Sequence, residues 1–100
     1  MDLISIRDLS KSDIDGILDN ADKILNGKKI DMKGKILASL FFEASTRTKL
    51  SFQSAALRNN MGYVDFLPET SSLKKGENYI DTIKTVAGYA DVLAIRHPKE

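Results

Sequence analysis

The apolar residues Ile14, Ile17, Leu18, Ala21, Ile24 and Leu25 recur three or four apart, so they fall on one face of a helix. Ser10 stands three residues before Asp13, a weak capping-box pattern that predicts where this helix starts. Gly27 follows the last periodic residue and predicts where it ends, because glycine takes the left-handed conformation without a side-chain clash. After Asp31-Met32-Lys33-Gly34, which reads as a turn, the run Ile36 to Phe42 is nearly all apolar and does not alternate. That pattern predicts a strand buried on both faces.

Arg47 to Asn60 carries Leu50, Phe52, Ala55, Ala56 and Leu57, with serine and threonine at its start, and reads as a second helix that ends before Gly62. Tyr63 to Leu67 predicts a second strand, and Pro68 to Gly76 a polar loop. Tyr79, Ile80, Ile83, Val86 and Ala87 predict a third helix that stops near Gly88. Val92 to Ile95 predicts a third strand, closed by Arg96-His97-Pro98. The chain shows no internal repeat, low-complexity tract or linker. Its order of helix, then strand, helix, strand, helix, strand implies an α/β fold, with a parallel sheet, flanking helices and right-handed crossovers.

One hundred residues suffice for one small core but not for a two-domain enzyme. With 42% hydrophobic and 29% charged residues, the composition is that of a chain that folds. Fifteen basic against fourteen acidic side chains leave a formal charge of +1, too little to gather nucleic acid or an anionic membrane, so any anion must be bound locally. No apolar stretch approaches a bilayer span and the N-terminus has no signal-peptide pattern, which reads as cytoplasmic. The absence of cysteine excludes disulfides, thiolate catalysis and cysteine-built zinc sites, and one histidine excludes a histidine-rich metal site.

Three segments that could carry chemistry each follow a predicted strand: Ser45 to Thr48, Ser71 to Gly76, and Arg96-His97. In an open parallel sheet they converge beyond the carboxyl ends of the strands, where such folds bind ligands. This convergence requires that the strands be adjacent and parallel. Ser45-Thr46-Arg47-Thr48 places hydroxyls, free amides and a guanidinium at a helix N-terminus, a setting suited to phosphate. The same residues also admit a plainer role, with Ser45 or Thr46 capping the helix and Arg47 as a solvated charge. Lys74-Lys75-Gly76-Glu77 reads either as an exposed charged turn or as a loop that brings an ammonium to an anionic substrate. Arg96-His97 reads either as a surface pair or as an anion-facing arginine at a strand end.

Phe41-Phe42-Glu43-Ala44-Ser45-Thr46-Arg47-Thr48-Lys49-Leu50-Ser51-Phe52 resembles the signature of the aspartate and ornithine carbamoyltransferases. Ser71 to Glu77, Asp81-Thr82, Tyr89, Asp91 and Ile95-Arg96-His97-Pro98 resemble the next blocks of the aspartate branch, in the same order. The ornithine branch typically has an arginine before its Gly-Glu and lacks His-Pro after the strand. The resemblance implies the N-terminal part of a carbamoyltransferase fold, with residues 1–100 as a partial carbamoyl-phosphate-binding domain. It implies that Ser45, Thr46, Arg47 and Thr48 bind the phosphate of carbamoyl phosphate, that Thr48 also reaches the carbonyl oxygen, and that Arg96 binds the same substrate. Lys75, with Ser71, belongs by resemblance to a loop that enters the active site of a neighbouring subunit and meets aspartate.

The implied reaction transfers the carbamoyl group to the α-amino group of L-aspartate, as in pyrimidine biosynthesis, without metal or cofactor. The implied partners are these two small molecules and further copies of the chain in a homotrimer, with regulatory chains as a further candidate. Lys49 stands where the family usually has an arginine. The chain ends two residues after Pro98, so the later His-Pro-x-Gln block and the aspartate-binding domain are expected to lie outside it, and these hundred residues alone are not expected to turn over. The rival readings are an ornithine carbamoyltransferase and a non-catalytic phosphate-binding or subunit-interaction fragment. A nucleotide-binding domain is disfavoured because neither glycine-rich phosphate motif is present, and a receiver domain because no strand ends in an acidic cluster.

Overall fold

The computed structural model describes residues 2–66 and 79–97. A short 3-10 turn at Ile6–Asp8 leads into α1 (Lys11–Leu25), followed by β1 (Ile36–Phe41), α2 (Thr46–Arg58), β2 (Gly62–Phe66), α3 (Tyr79–Ala87) and β3 (Val92–Arg96). The predicted elements all form, with ends one or two residues away from expectation in several cases. Leu67 and the predicted loop from Pro68 to Gly76 lie outside the described residues.

The three strands form one parallel sheet in the order β2-β1-β3. Their starts are tied together by main-chain and side-chain bonds. Gly62 N donates to Lys35 O at 3.0 Å, Asp91 N donates to Ile36 O at 2.8 Å, and Ile36 N donates to the Asp91 carboxylate at 2.9 Å. Because all three strands set out from one edge in one direction, their carboxyl ends share the opposite edge.

β1 is the central strand, and the non-alternating apolar run has the burial it predicts. Leu37 and Phe41 pack with Ala56 of α2 and Ala94 of β3, with Met61 against them. Successive side chains point to opposite faces, and Ala38 and Leu40 on the other face are both 0% exposed, so β1 is covered on both sides. α3 lies along this second face, where its Val86 shares a groove with Val64 and Phe66, the register partners of Ala38 and Leu40. The edge strands are less covered, and Tyr63, Val64, Val92 and Ile95 remain exposed.

Both long helices end in the same motif. At the end of α1, Lys28 N donates to Lys23 O and Gly27 N to Ile24 O, with Gly27 at φ 108°. At the end of α2, Met61 N donates to Ala56 O and Asn60 N to Leu57 O, with Asn60 at φ 60°. These paired bonds satisfy carbonyls that the helix leaves open and require one left-handed residue, which glycine or asparagine supplies. Asn60 is therefore the residue that turns the chain out of α2, which ends before Gly62 as expected. Its side chain also donates to Asp31 at 3.0 Å.

Candidate active site

Among the described residues, the carboxyl edge of the sheet gathers the ends of β1 and β3 and the start of α2. The register pairs Phe41 with Arg96, and Phe42 N donates to Arg96 O at 2.8 Å. Two residues on from Phe42 the chain has already reached Ala44, and it turns into α2 at Ser45. Strand pairing thus brings Arg96 to within side-chain reach of the turn that the sequence singles out.

The contacts are specific. Arg96 Nη1 donates to Ser45 Oγ at 3.1 Å, and Arg96 Nε donates to Glu43 Oε1 at 2.6 Å. The side chains of Arg96 and Glu43 are 45% and 35% exposed, so solvent screens their pairing and it adds little to stability. Its effect is to fix where the guanidinium sits. Phe42 packs its ring near those of Phe66 and His97, with centroids 5.6 and 5.4 Å away, giving this edge an aromatic floor.

Ser45 is the N-cap residue of α2, yet its side chain makes no capping hydrogen bond. The plainer reading of Ser45 as an ordinary helix cap therefore does not hold, because its hydroxyl is engaged with Arg96 instead. Ser45 O accepts from Lys49 N at 3.0 Å, so the helix starts regularly while its first-turn amides lack a side-chain acceptor. Such amides, at the positive end of a 13-residue helix, favour an anion. Arg47 is exposed, and its guanidinium pairs with no described residue. Thr46 is exposed and Thr48 half-buried, both in the same first turn.

Of the residues expected to bind the first substrate, Ser45, Thr46, Arg47, Thr48 and Arg96 come together. Lys75 and Ser71 lie outside the described residues, as do Lys74 and Gly76. Sequence reasoning assigned no role to Glu43, although it lies inside the recognised signature; its contact depends on the β1–β3 register. Asp65 was missed as well. Lys49 Nζ pairs with Asp65 Oδ2 at 2.8 Å, and Ser39 Oγ donates to Asp65 Oδ1 at 3.0 Å. No group of three histidine, cysteine, aspartate or glutamate side chains among the described residues could hold a metal ion. No helix among them is long and apolar enough to cross a membrane.

Residues 1–100 match the family model described as aspartate/ornithine carbamoyltransferase, carbamoyl-P binding domain. The chain is 53% identical over 105 residues to the aspartate carbamoyltransferase catalytic subunit of Thermococcus kodakarensis, covering 99% of this chain and 34% of that protein. The structure of Trypanosoma cruzi aspartate transcarbamoylase in complex with carbamoyl phosphate superimposes with a TM-score of 0.85 at 40% identity, over 94% of this chain and 31% of that one. The catalytic subunit of M. jannaschii aspartate transcarbamoylase superimposes with a TM-score of 0.84 at 44% identity, over 97% of this chain and 34% of that one. The chain spans about a third of the length of these relatives. The family match over residues 1–100, the sequence identity and the shared parallel sheet agree, and the chain belongs to the aspartate/ornithine carbamoyltransferase family, in its carbamoyl-phosphate-binding domain.

Proposed function

We propose that this chain supplies the carbamoyl-phosphate half of an active site that transfers the carbamoyl group from carbamoyl phosphate to the α-amino group of L-aspartate. The observation that carries the reading is the start of α2, where Ser45 leaves the first-turn amides uncapped and instead receives Arg96. Relatives support the choice of substrates: Trypanosoma cruzi aspartate transcarbamoylase has been crystallised with carbamoyl phosphate, and also with N-(phosphonacetyl)-L-aspartic acid.

In this reaction the neutral amino group of aspartate attacks the carbonyl carbon. A C–N bond forms, negative charge grows on the carbonyl oxygen, and the C–O bond to phosphate breaks as the nitrogen loses a proton. The protein's task is to align two substrates and to aim donors at the developing charge. The first-turn amides of α2, with Ser45, Thr46, Arg47 and Thr48, would hold the phosphate, Arg47 by a bidentate pair that a lysine could not match. Thr48 and Arg96 would serve the carbonyl oxygen. Glu43 and Ser45 take Nε and Nη1 of Arg96, which leaves Nη2 to donate.

Lys75, with Ser71, would close over the anionic groups of both substrates from a neighbouring subunit of a trimer, excluding water and reducing screening. Regulatory chains and a cytoplasmic location belong to the same reading. So does the assignment of residues 1–100 to one part of a larger catalytic chain.

The test is carbamoyl transfer by the protein expressed from its whole reading frame, with aspartate and ornithine as parallel acceptors. Transfer to aspartate alone is expected. Transfer to ornithine alone would move the protein to the other branch of the family, and no transfer to either would leave a phosphate-binding or subunit-interaction module.

A further inference from the structure

α2 is held to the sheet unevenly. Ala56, in its last turn, is the helix's one buried residue among those described, while Leu50, Phe52 and Leu57 are exposed. Apolar packing thus anchors the C-terminal half. The N-terminal half, which presents the amides and Arg47, needs another tether.

Lys49 provides it from the fourth position of the helix. Its ammonium reaches Asp65 Oδ2 at 2.8 Å, with the two side chains 24% and 27% exposed. Asp65 lies on β2, opposite Ser39 in register on β1. The Ser39 hydroxyl donates to the other carboxylate oxygen at 3.0 Å. Ser39 is 1% exposed in the middle of an otherwise apolar strand, so its hydroxyl needs a partner there, and Asp65 meets that need. The chain Ser39–Asp65–Lys49 therefore runs from the packed centre of the sheet to the first turns of α2. A two-ended carboxylate contact is directional, which apolar packing through a single alanine is not.

We propose that Lys49 is a positioning residue for the anion site, acting through Asp65 and Ser39 to set the direction in which the first turn of α2 points. Its charge is engaged with Asp65 and is not spent on the ligand, so its effect on binding passes through the orientation of Arg47, Thr48 and the helix amides. The inference rests on the reading of this site as the carbamoyl-phosphate site.

The experiment uses the protein expressed from its whole reading frame and measures carbamoyl-phosphate affinity by calorimetry, the KM for aspartate, and thermal stability. Lys49→Met, which keeps the apolar stem, and Asp65→Asn are each expected to weaken carbamoyl phosphate binding by about fivefold, the upper end of the scale for one partly exposed charge pair. The double variant should be no weaker than either single one, Lys49→Arg should bind as the parent does, and the KM for aspartate should hold. Unchanged affinity in Lys49→Met, with the parent binding normally, would overturn the positioning role and leave the functional reading intact. So would losses that add in the double variant, or a loss shared by Lys49→Arg. A parent protein that binds no carbamoyl phosphate would overturn both.

Discussion

α1 and α2 are helices of similar length with opposite relations to the rest of the molecule. α1 has every local signal for stability. Ser10 and Asp13 form a reciprocal capping box with both bonds at 3.0 Å, and Gly27 closes the other end. Yet α1 buries none of its residues, and its apolar face stays open at Ile17, Leu18 and, 84% exposed, Leu25. α2 lacks a side-chain cap, but it packs on β1 and β2 and carries the candidate site. A cap would satisfy the same amides that an anion needs. Under the proposed function, a side-chain cap and an anion would compete for the same amides at the start of α2.

The largest expected effect falls on α2. Arg47→Ala should lower kcat/KM for carbamoyl transfer by about 3 kcal/mol of transition-state stabilisation, the scale for removing one charged donor from a preorganised site. The check is steady-state kinetics on the protein expressed from its whole reading frame, and retained activity would remove Arg47 from the site.

Nearly as large is the packing contrast. Leu40→Ala in β1 should cost about 3 kcal/mol in urea denaturation, because a fully buried leucine leaves a cavity. Leu25→Ala on the open face of α1 should stay within about 0.5 kcal/mol. Equal losses would mean that α1 is packed in solution.

The smallest effect separates the two caps. Ser10→Ala should cost about 1 kcal/mol of stability and leave carbamoyl phosphate affinity alone. Ser45→Ala should do the reverse, with a stability change within about 0.5 kcal/mol and weakened binding, since its hydroxyl caps nothing and touches Arg96. A large stability loss in Ser45→Ala would show that the hydroxyl caps α2 after all.

The element order was legible because each signal is local. The spacing from Ile14 to Leu25 and the unbroken apolar run from Ile36 constrain the backbone within a few residues, and the described structure follows them. The turn at Ser45-Thr46-Arg47-Thr48 could be located for the same reason, strand and helix flanking it in sequence, while its phosphate role is what the family resemblance implies. Arg96 was already a candidate at the same sheet edge, but its partners there were not legible. Arg96 is fifty-one positions from Ser45, and only the β1–β3 register places the two within 3.1 Å.

The sequence by itself therefore determined the elements, the parallel α/β architecture and the position of the candidate anion-binding turn, since hydrophobic period, turn residues and motif are all read over short stretches. Tertiary structure alone decided that β1 lies between β2 and β3, that Glu43 and Ser45 share Arg96, that Asp65 links Ser39 to Lys49, and that among the described residues α1 has none buried. Each of these depends on which residues, distant in the chain, the sheet register sets side by side, and register is a property of packing between strands that no single segment encodes.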